Sequence, residues 1–417
     1  MEIADINLLD LDRFTALEHH EMFATLRRDA PVFWHEEPDG PGFWNITRHA
    51  DLVEVNREPE LFSSEVGGIS IFDPDPADDG MDMRGMQMLY TDPPKHTRYR
   101  RLVNKGFTPR MIGLIERYLE HRAVVIIDNV IELGSCDFVE DIAAELPLQA
   151  IAEIMGVPQE DRRLLFQWSN ALIGIDDPEY GNEEGDHSDA LTAAVELYGY
   201  VNQLAKDRAS DPRDDIVTKL INAEIDGDRL SEMEFDMFML LLTVAGNETT
   251  RNATSGGMYA LLTHPDQWEA LKADPDGLLE TAVDEILRWS TPVLHFRRTA
   301  TADTTVGGTR IRAGDKVVMW HISANRDETV FDDPFRFDVT RSPNDHISFG
   351  GGGAHYCLGA NLARTELRLI FDEIIRRMPD MELAGEPSRL RSNFLAGIKH
   401  LPVTYPPGER VAPASVA

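Results

Sequence analysis

The sequence predicts a mainly α fold with small β-sheets, packed as one domain around a long central helix. Three observations predict it. Helical periodicity dominates from Thr97 to about Lys272. Within that stretch Ser231 and Glu234 have capping-box spacing, and an apolar run continues from them to Pro265. That makes a helix of about 32 residues, roughly 48 Å long at ~1.5 Å per residue. No fixed-period repeat, low-complexity block or Gly/Ser linker marks a boundary along the 417 residues.

The elements follow in chain order. A helix around Leu17 to Arg28 precedes short β-like pieces at Val32 to Trp34 and Phe43 to Thr47. From Val66 to Met88 the chain is rich in Gly, Asp, Pro and Met without a period, which predicts a long loop. After the central helix comes one from about Leu278 to Trp289, stopped before Pro292. Thr304 to Met319 reads as β-hairpin material around Gly307-Gly308 and Ala313-Gly314. A glycine run leads into a helix from Leu358 to Met378, ended by Pro379, and 406–417 reads as a frayed tail.

Charge narrows the function classes. With 40 Lys and Arg against 73 Asp and Glu, the net charge of −33 disfavours nucleic acid and anionic membrane as partners. No run approaches the ~20 apolar residues of a membrane span, and no secretory signal opens the chain, so a soluble cytoplasmic protein without a membrane anchor is expected. Two cysteines, Cys136 and Cys357, are too few for a cysteine zinc or iron-sulfur site, so a cysteine that binds metal here binds alone.

Four constellations can carry chemistry. In the first, Phe349, four glycines, Ala354, His355, Tyr356, Cys357, Leu358 and Gly359 let the backbone pass close to a flat ligand and set one thiol at the mouth of a helix. The helix dipole favours a thiolate there, and a lone thiolate suits haem iron. The competing reading is a glycine-rich turn with an inert cysteine. In the second, Glu285 and Arg288 share a helical face and Arg326 follows in a nearby turn, so they form either a buried structural network or a solvated pair. In the third, Ala245, Gly246, Glu248 and Thr249 interrupt the long apolar helix, which predicts a local bulge with a polar notch or a tolerated interruption. In the fourth, His96 and Arg100 lie four apart on one face, while Arg98, Arg101 and Lys105 form a separate stripe. Lys95 to Arg110 holds six Lys or Arg and no acid, a local basic patch unless it is simply a solvated helix face.

Together, in this order and spacing, these residues resemble the cytochrome P-450 superfamily of haem-thiolate monooxygenases over roughly residues 15 to 405. The resemblance implies the triangular-prism fold of that family and haem b (iron protoporphyrin IX) with Cys357 as the iron ligand. It implies that His96, Arg100, Arg298 and His355 face the propionates, with Phe349 and Gly359 in the cysteine loop. Glu285, Arg288 and Arg326 match the structural network behind the haem, and Ala245, Gly246, Glu248 and Thr249 match the oxygen groove with its acid-alcohol pair. By matching position, Val244, Val293, Leu294 and Phe394 line the substrate pocket. The apolar loop residues Ile69, Ile71, Phe72, Met81, Met83, Met86 and Met88 suit a large flexible substrate, or else pack on the core.

One departure sets the chain apart: Phe349 stands eight residues before Cys357, where the family usually has seven. With the Gly397 to Pro402 segment, this looks like the actinobacterial branch that hydroxylates steroid side chains and methyl-branched isoprenoid lipids. The expected reaction inserts one oxygen atom of O2 into a C–H bond of a steroid, isoprenoid or terpenoid. Electrons are expected from NAD(P)H through a ferredoxin reductase and a ferredoxin, which would meet Arg98, Arg101, Lys105, Arg110, Arg364 and Arg368. A monomer is expected. A tailoring oxidase acting on a macrolide or peptide is the alternative, and a non-enzymatic haem sensor would not need the polar groups of the long helix.

Overall fold

The computed structural model describes residues 1–411 apart from 39, 74–81, 105–106, 108, 174–176, 178, 180–187, 225–226 and 228. Side chains are described except also at 109–112, 114, 159, 173, 188 and 189. The first helices are α1 (Leu11–Thr15), α2 (His19–Asp29), α3 (His49–Arg57), α4 (Lys95–Val103) and α5 (Pro109–Val130). The middle of the chain adds α6 (Glu145–Met155), α7 (Arg162–Ile173), α8 (Ser188–Ser210), α9 (Ile216–Ile221) and α10 (Glu232–Thr263). The last are α11 (Pro265–Ala273), α12 (Pro275–Ser290), α13 (His321–Ala324) and α14 (Ala360–Arg377).

Helix α10 is the axis. Ser231 Oγ accepts the Glu234 N–H at 3.2 Å while Glu234 accepts the Ser231 N–H at 2.8 Å, so the capping box forms and fixes the first turn. The helix runs 32 residues and packs against α6, α7, α8, α12 and α14. It is continuous through Gly246, so of the two expectations there the chain shows the tolerated interruption and not the bulge. A side chain on Gly246 would collide with Ile151 of α6, so the glycine serves close helix packing rather than a notch.

A five-stranded sheet forms the second body of the fold, in the order β1 (Val32–His35), β2 (Phe43–Ile46), β8 (Lys316–Trp320), β5 (His295–Ala300), β3 (Phe62–Ser63). Only the β2–β8 pair is parallel, with Trp44 opposite Val317. The segment read as one hairpin divides. β6 (Thr304–Val306) and β7 (Thr309–Ile311) pair across Gly307-Gly308, but the strand after Gly314 is β8, which pairs with β5 and β2 because its five residues are all buried. A small sheet joins β4 (Ser135–Asp137), β12 (Pro402–Thr404) and β9 (Glu382–Leu383), and β10 (Ser388–Arg389) pairs with β11 (Ile398–His400).

The fraying expected from 406 is not seen over 406–411. Gly408 donates to Ile131 O at 2.9 Å, Val411 to Asp128 at 3.1 Å, and Arg410 pairs with Glu132 at 2.9 Å, so the chain is tied down through 411. Residues 412–417 lie outside the described ones. In the 66–88 loop, Ile69, Ile71 and Met88 are buried core residues and Phe72 is 57% exposed; Met81 lies outside the described residues. Among the described residues no helix is long and apolar enough to cross a membrane.

Candidate functional site

The cysteine loop is shaped by its glycines. Gly350, Gly351, Gly352 and Gly353 all have left-handed φ values of 98°, 63°, 104° and 80°. Four consecutive positive φ angles are accessible only to glycine, and a side chain on Gly353 would strike the Asn56 carbonyl at the end of α3. This path absorbs the extra residue. The Cys357 N–H still donates to Phe349 O at 3.0 Å, and the Phe349 ring is covered by the Arg364 guanidinium at 4.6 Å. Asp284 holds that guanidinium at 2.8 Å.

Gly359 caps α14, and its N–H points at the Cys357 sulfur. Cys357 is exposed on its cleft side but otherwise ringed by protein. Burial therefore pushes the thiol up, while the Gly359 N–H, Arg100 and Arg364 pull it toward the thiolate.

Beside the thiol stands a group of four cationic and imidazole side chains from three elements. Helix α4 supplies His96 and Arg100, strand β5 supplies Arg298, and the cysteine loop supplies His355. Asp92 positions the first two, because its carboxylate accepts from Ser63 Oγ and from the Ser64 N–H (2.8 Å), which pins the end of β3 to the start of α4. The His96 and His355 ring centroids are 4.1 Å apart, and His355 Nε2 and Ser64 Oγ share a 3.2 Å hydrogen bond.

Arg298 is 3% exposed and forms no ion pair among the described residues; its Nη1 donates to Arg297 O at 2.8 Å. Burial lowers it to about 10. Burial, then Arg100, lowers His96 to about 4, and burial, then Arg298, takes His355 well below the usual imidazole range. Two guanidiniums and two neutral imidazoles around one exposed sulfur fit a flat ligand that carries carboxylates on its rim and a metal at its centre. The residues present therefore fit haem.

Behind the loop lies a saturated ion network. Arg288 donates to both oxygens of Glu285 at 2.7 Å, and to Asn325 O and Pro334 O at 2.8 and 2.9 Å. The second guanidinium on Glu285 is Arg341 at 3.1 Å, not Arg326 as expected. Asn344 Nδ2 and the Asp338 N–H complete the shell. Arg326 instead lies over the Trp289 ring at 5.0 Å and donates to Trp289 O at 2.7 Å. Its turn carries it past the carboxylate, and only the folded chain shows that Arg341 returns to it.

On α10, Ala245 is exposed and Thr249, one turn on, is half-buried, its Oγ1 donating to Ala245 O at 2.8 Å. Glu248 is turned away from that face. It is 1% exposed, paired to Arg251, and within 3.5 Å of Ser169 Oγ on α7. Burial pushes its carboxyl up and Arg251 pulls it down. The expected adjacent acid and alcohol are therefore on different faces, since successive helical residues are ~100° apart. Sequence reasoning missed Arg251, although Glu248 and Arg251 repeat the spacing of Glu285 and Arg288.

Among the expected substrate residues, Val244 and Val293 are half-buried and Phe394 packs 5.8 Å from Phe296. Leu294 does not join them. Its side chain is 2% exposed within a core with Phe14, Phe23 and Trp320, because Val293 and Leu294 alternate across an extended segment. Of the expected docking charges, Arg98 is held by Glu234 at 3.1 Å, Arg364 by Asp284 and Arg368 by Glu116. Arg101 is exposed; Lys105 and the Arg110 side chain lie outside the described residues.

A cysteine at a helix mouth beside two guanidiniums and two imidazoles is the arrangement that a haem-thiolate protein requires. Comparison with known proteins places it more closely. The family model described as Cytochrome P450 matches residues 184–381. The Steroid C26-monooxygenase of Mycolicibacterium smegmatis is 47% identical over 392 residues, 92% of this chain and 90% of that one. The Methyl-branched lipid omega-hydroxylase of Mycobacterium tuberculosis is 44% identical, covering 97% and 95%. Among solved structures, a Mycobacterium marinum cytochrome P450 in complex with pseudoionone superposes with a TM-score of 0.90 at 40% identity, over 97% of this chain and 99% of that one. The chain belongs to the cytochrome P450 family. It is a monooxygenase of hydrophobic substrates that uses haem b and O2.

Proposed function

We propose that the enzyme hydroxylates the end of a methyl-branched aliphatic chain, carried by a steroid or an isoprenoid lipid. The observation that supports this most is that relatives named for the C26 position of steroids and for the omega position of methyl-branched lipids align with nearly the whole chain at 44–47% identity. Cys357 is the iron ligand in this reading, and Arg100, Arg298, His96 and His355 take the two propionates. Haem held through a thiolate supplies O2 activation and oxygen insertion into a C–H bond. Ala245 and Thr249 leave room on the cleft face of α10, and Thr249 holds a proton at Oγ1 on the side where O2 is reduced. Glu248 joins the proton path only when its carboxylate leaves Arg251. Val244, Val293 and Phe394 shape the apolar wall.

Electrons come from NAD(P)H through a ferredoxin reductase and a ferredoxin. Three of the basic residues near the cysteine side already have acidic partners, so docking relies on Arg101 more than on a broad stripe. Electrostatic docking predicts that turnover falls as salt rises.

Titration of the haem-loaded enzyme with cholest-4-en-3-one, phytanic acid and a monoterpene alcohol tests the substrate class. The absorption shift of substrate binding is expected with the first two at a Kd at least tenfold below that of the third, and product analysis should find the new hydroxyl on a terminal carbon. Tighter binding of the monoterpene alcohol, or oxidation at a ring carbon, would remove the assignment.

A further inference from the structure

A cavity of about 270 Å³ lies between α2, the C-terminal part of α10, the end of α12 and the β10–β11 hairpin. None of Cys357, Arg100, Arg298 or His355 lines it, so it is not the haem cleft. Its polar end is unusual. Arg326 is 3% exposed, its Nη1 has no hydrogen-bond partner, and it forms no ion pair among the described residues. Arg389, half-buried on β10, lines the same cavity with its guanidinium 5.1 Å from the Tyr259 ring, likewise without an ion pair among the described residues. Asn252 of α10 is 2% exposed, and both its side-chain oxygen and its nitrogen lack partners.

In a chain with 73 acidic residues, none of the residues lining this cavity is Asp or Glu. Burial, then Arg288 and Arg27, lowers Arg326 to about 9, which marks a cation with too little counter-charge. Of the imidazoles that line it, His19 and His20 add no charge, since burial and then Arg326 lower His19 to about 3 and take His20 well below its usual range. Phe14, Leu17, Leu390, Leu395 and Ile398 give the wall an apolar stretch, beside the hydroxyls of Ser290 and Ser392.

A buried guanidinium with an idle donor is costly unless an anion meets it, and a planar carboxylate matches its geometry. Inorganic phosphate or sulfate would leave the apolar wall uncovered. A neutral lipid would cover the wall and leave Arg326 and Asn252 unpaired. The volume, slightly under the roughly 300–1,000 Å³ of ordinary ligand pockets, limits the body to a short chain or single ring.

We propose that this cavity is a second binding site, distinct from the haem cleft, for a small carboxylate with an apolar body: Arg326 and Arg389 take the carboxylate, Asn252 donates to it, and the aliphatic wall holds the body.

Isothermal titration of the haem-loaded enzyme, its iron capped by an azole, tests this with octanoate, 1-octanol and sodium sulfate as probes. Octanoate should bind one-to-one without altering the azole-bound absorption spectrum, and at least tenfold more tightly than octanol or sulfate. Arg389→Gln, a change at a half-buried position, should weaken octanoate at least tenfold while the haem spectrum stays the same. Arg326→Gln should weaken it further wherever that variant retains the wild-type spectrum. Four results would each overturn the proposal: no octanoate binding up to millimolar concentration, equal affinity for octanol, equal affinity for sulfate, or unchanged octanoate affinity in Arg389→Gln.

Discussion

Two sets of buried arginines flank the cysteine loop, and they are built on opposite principles. Behind it, Arg288 and Glu285 are both 0% exposed, and their hydrogen-bonding capacity is spent on each other, on Arg341, on Asn344 and on backbone groups. In front of it, Arg298 is nearly as buried but meets no carboxylate among the described residues. A saturated network fixes shape, because moving any member exposes an unpaired charge. An unsaturated one favours an incoming anion, because the charge has already lost its water. Glu366 on α14 is the inverse of Arg298. It is an acid 2% exposed whose Oε2 has no partner, and burial raises it to about 8.

The comparison can be broken most forcefully at Glu285. Glu285→Ala strands Arg288 and should lower stability by about 3–5 kcal/mol in denaturant titrations, with haem present or removed. A loss below about 1 kcal/mol would mean that the rear network does not hold the fold.

Glu366 comes next. From an ordinary value of 4.5 to about 8 is about 3.5 pH units, of order 5 kcal/mol at ~1.36 kcal/mol per unit. The unfolded chain releases this proton near 4.5 and the folded chain only near 8, so the folded state binds more protons between them. Stability is thus undiminished below pH 4.5, declines as pH rises toward 8, and levels off above. Glu366→Gln should flatten that slope, read from urea midpoints at pH 5, 6.5 and 8; an unchanged slope would show that Glu366 ionises freely.

At the front, Arg298→Gln should leave the stability of the haem-free protein unchanged or higher, since an unpaired buried charge is removed. Haem loss to an apomyoglobin acceptor should accelerate about tenfold, roughly 1.4 kcal/mol of lost pairing. A variant that destabilises the haem-free protein as Glu285→Ala does would erase the distinction between the two sets.

The smallest effect on binding belongs to Thr249→Ala. Haem and substrate affinities should stay within about twofold, because among the described residues the hydroxyl donates to Ala245 O alone. Peroxide released per NAD(P)H should nevertheless rise and product per electron fall. Unchanged coupling would remove Thr249 from the proton path.

Much of this was legible before folding. The capping box at Ser231 and the length of α10 follow from local hydrogen bonding and periodicity, which a sequence carries within four residues. The cysteine with its glycine run was legible too, since only glycine takes four left-handed φ angles in a row. How the acid and the alcohol are oriented was not legible, because spacing along a helix says which residues share a face, whereas the orientation of Glu248 depends on Arg251 and on Ser169 of α7. The third member of the rear network was misread for a similar reason: Arg326 is nearer to Arg288 in sequence, but the loop of 327–341 folds back to bring Arg341 onto Glu285.

By itself, then, the sequence determined the elements, the lone thiol and the chemistry of the residues around it, because these depend on residue type and short-range spacing. Only the tertiary structure decided which charges meet. It paired Glu285 with Arg341, turned Glu248 toward Arg251, buried Leu294, and left Arg298 and Arg326 without an acid among the described residues. Electrostatic pairing acts over a few ångströms in space, and contacts across tens to hundreds of residues exist only once the helices and the sheet have packed.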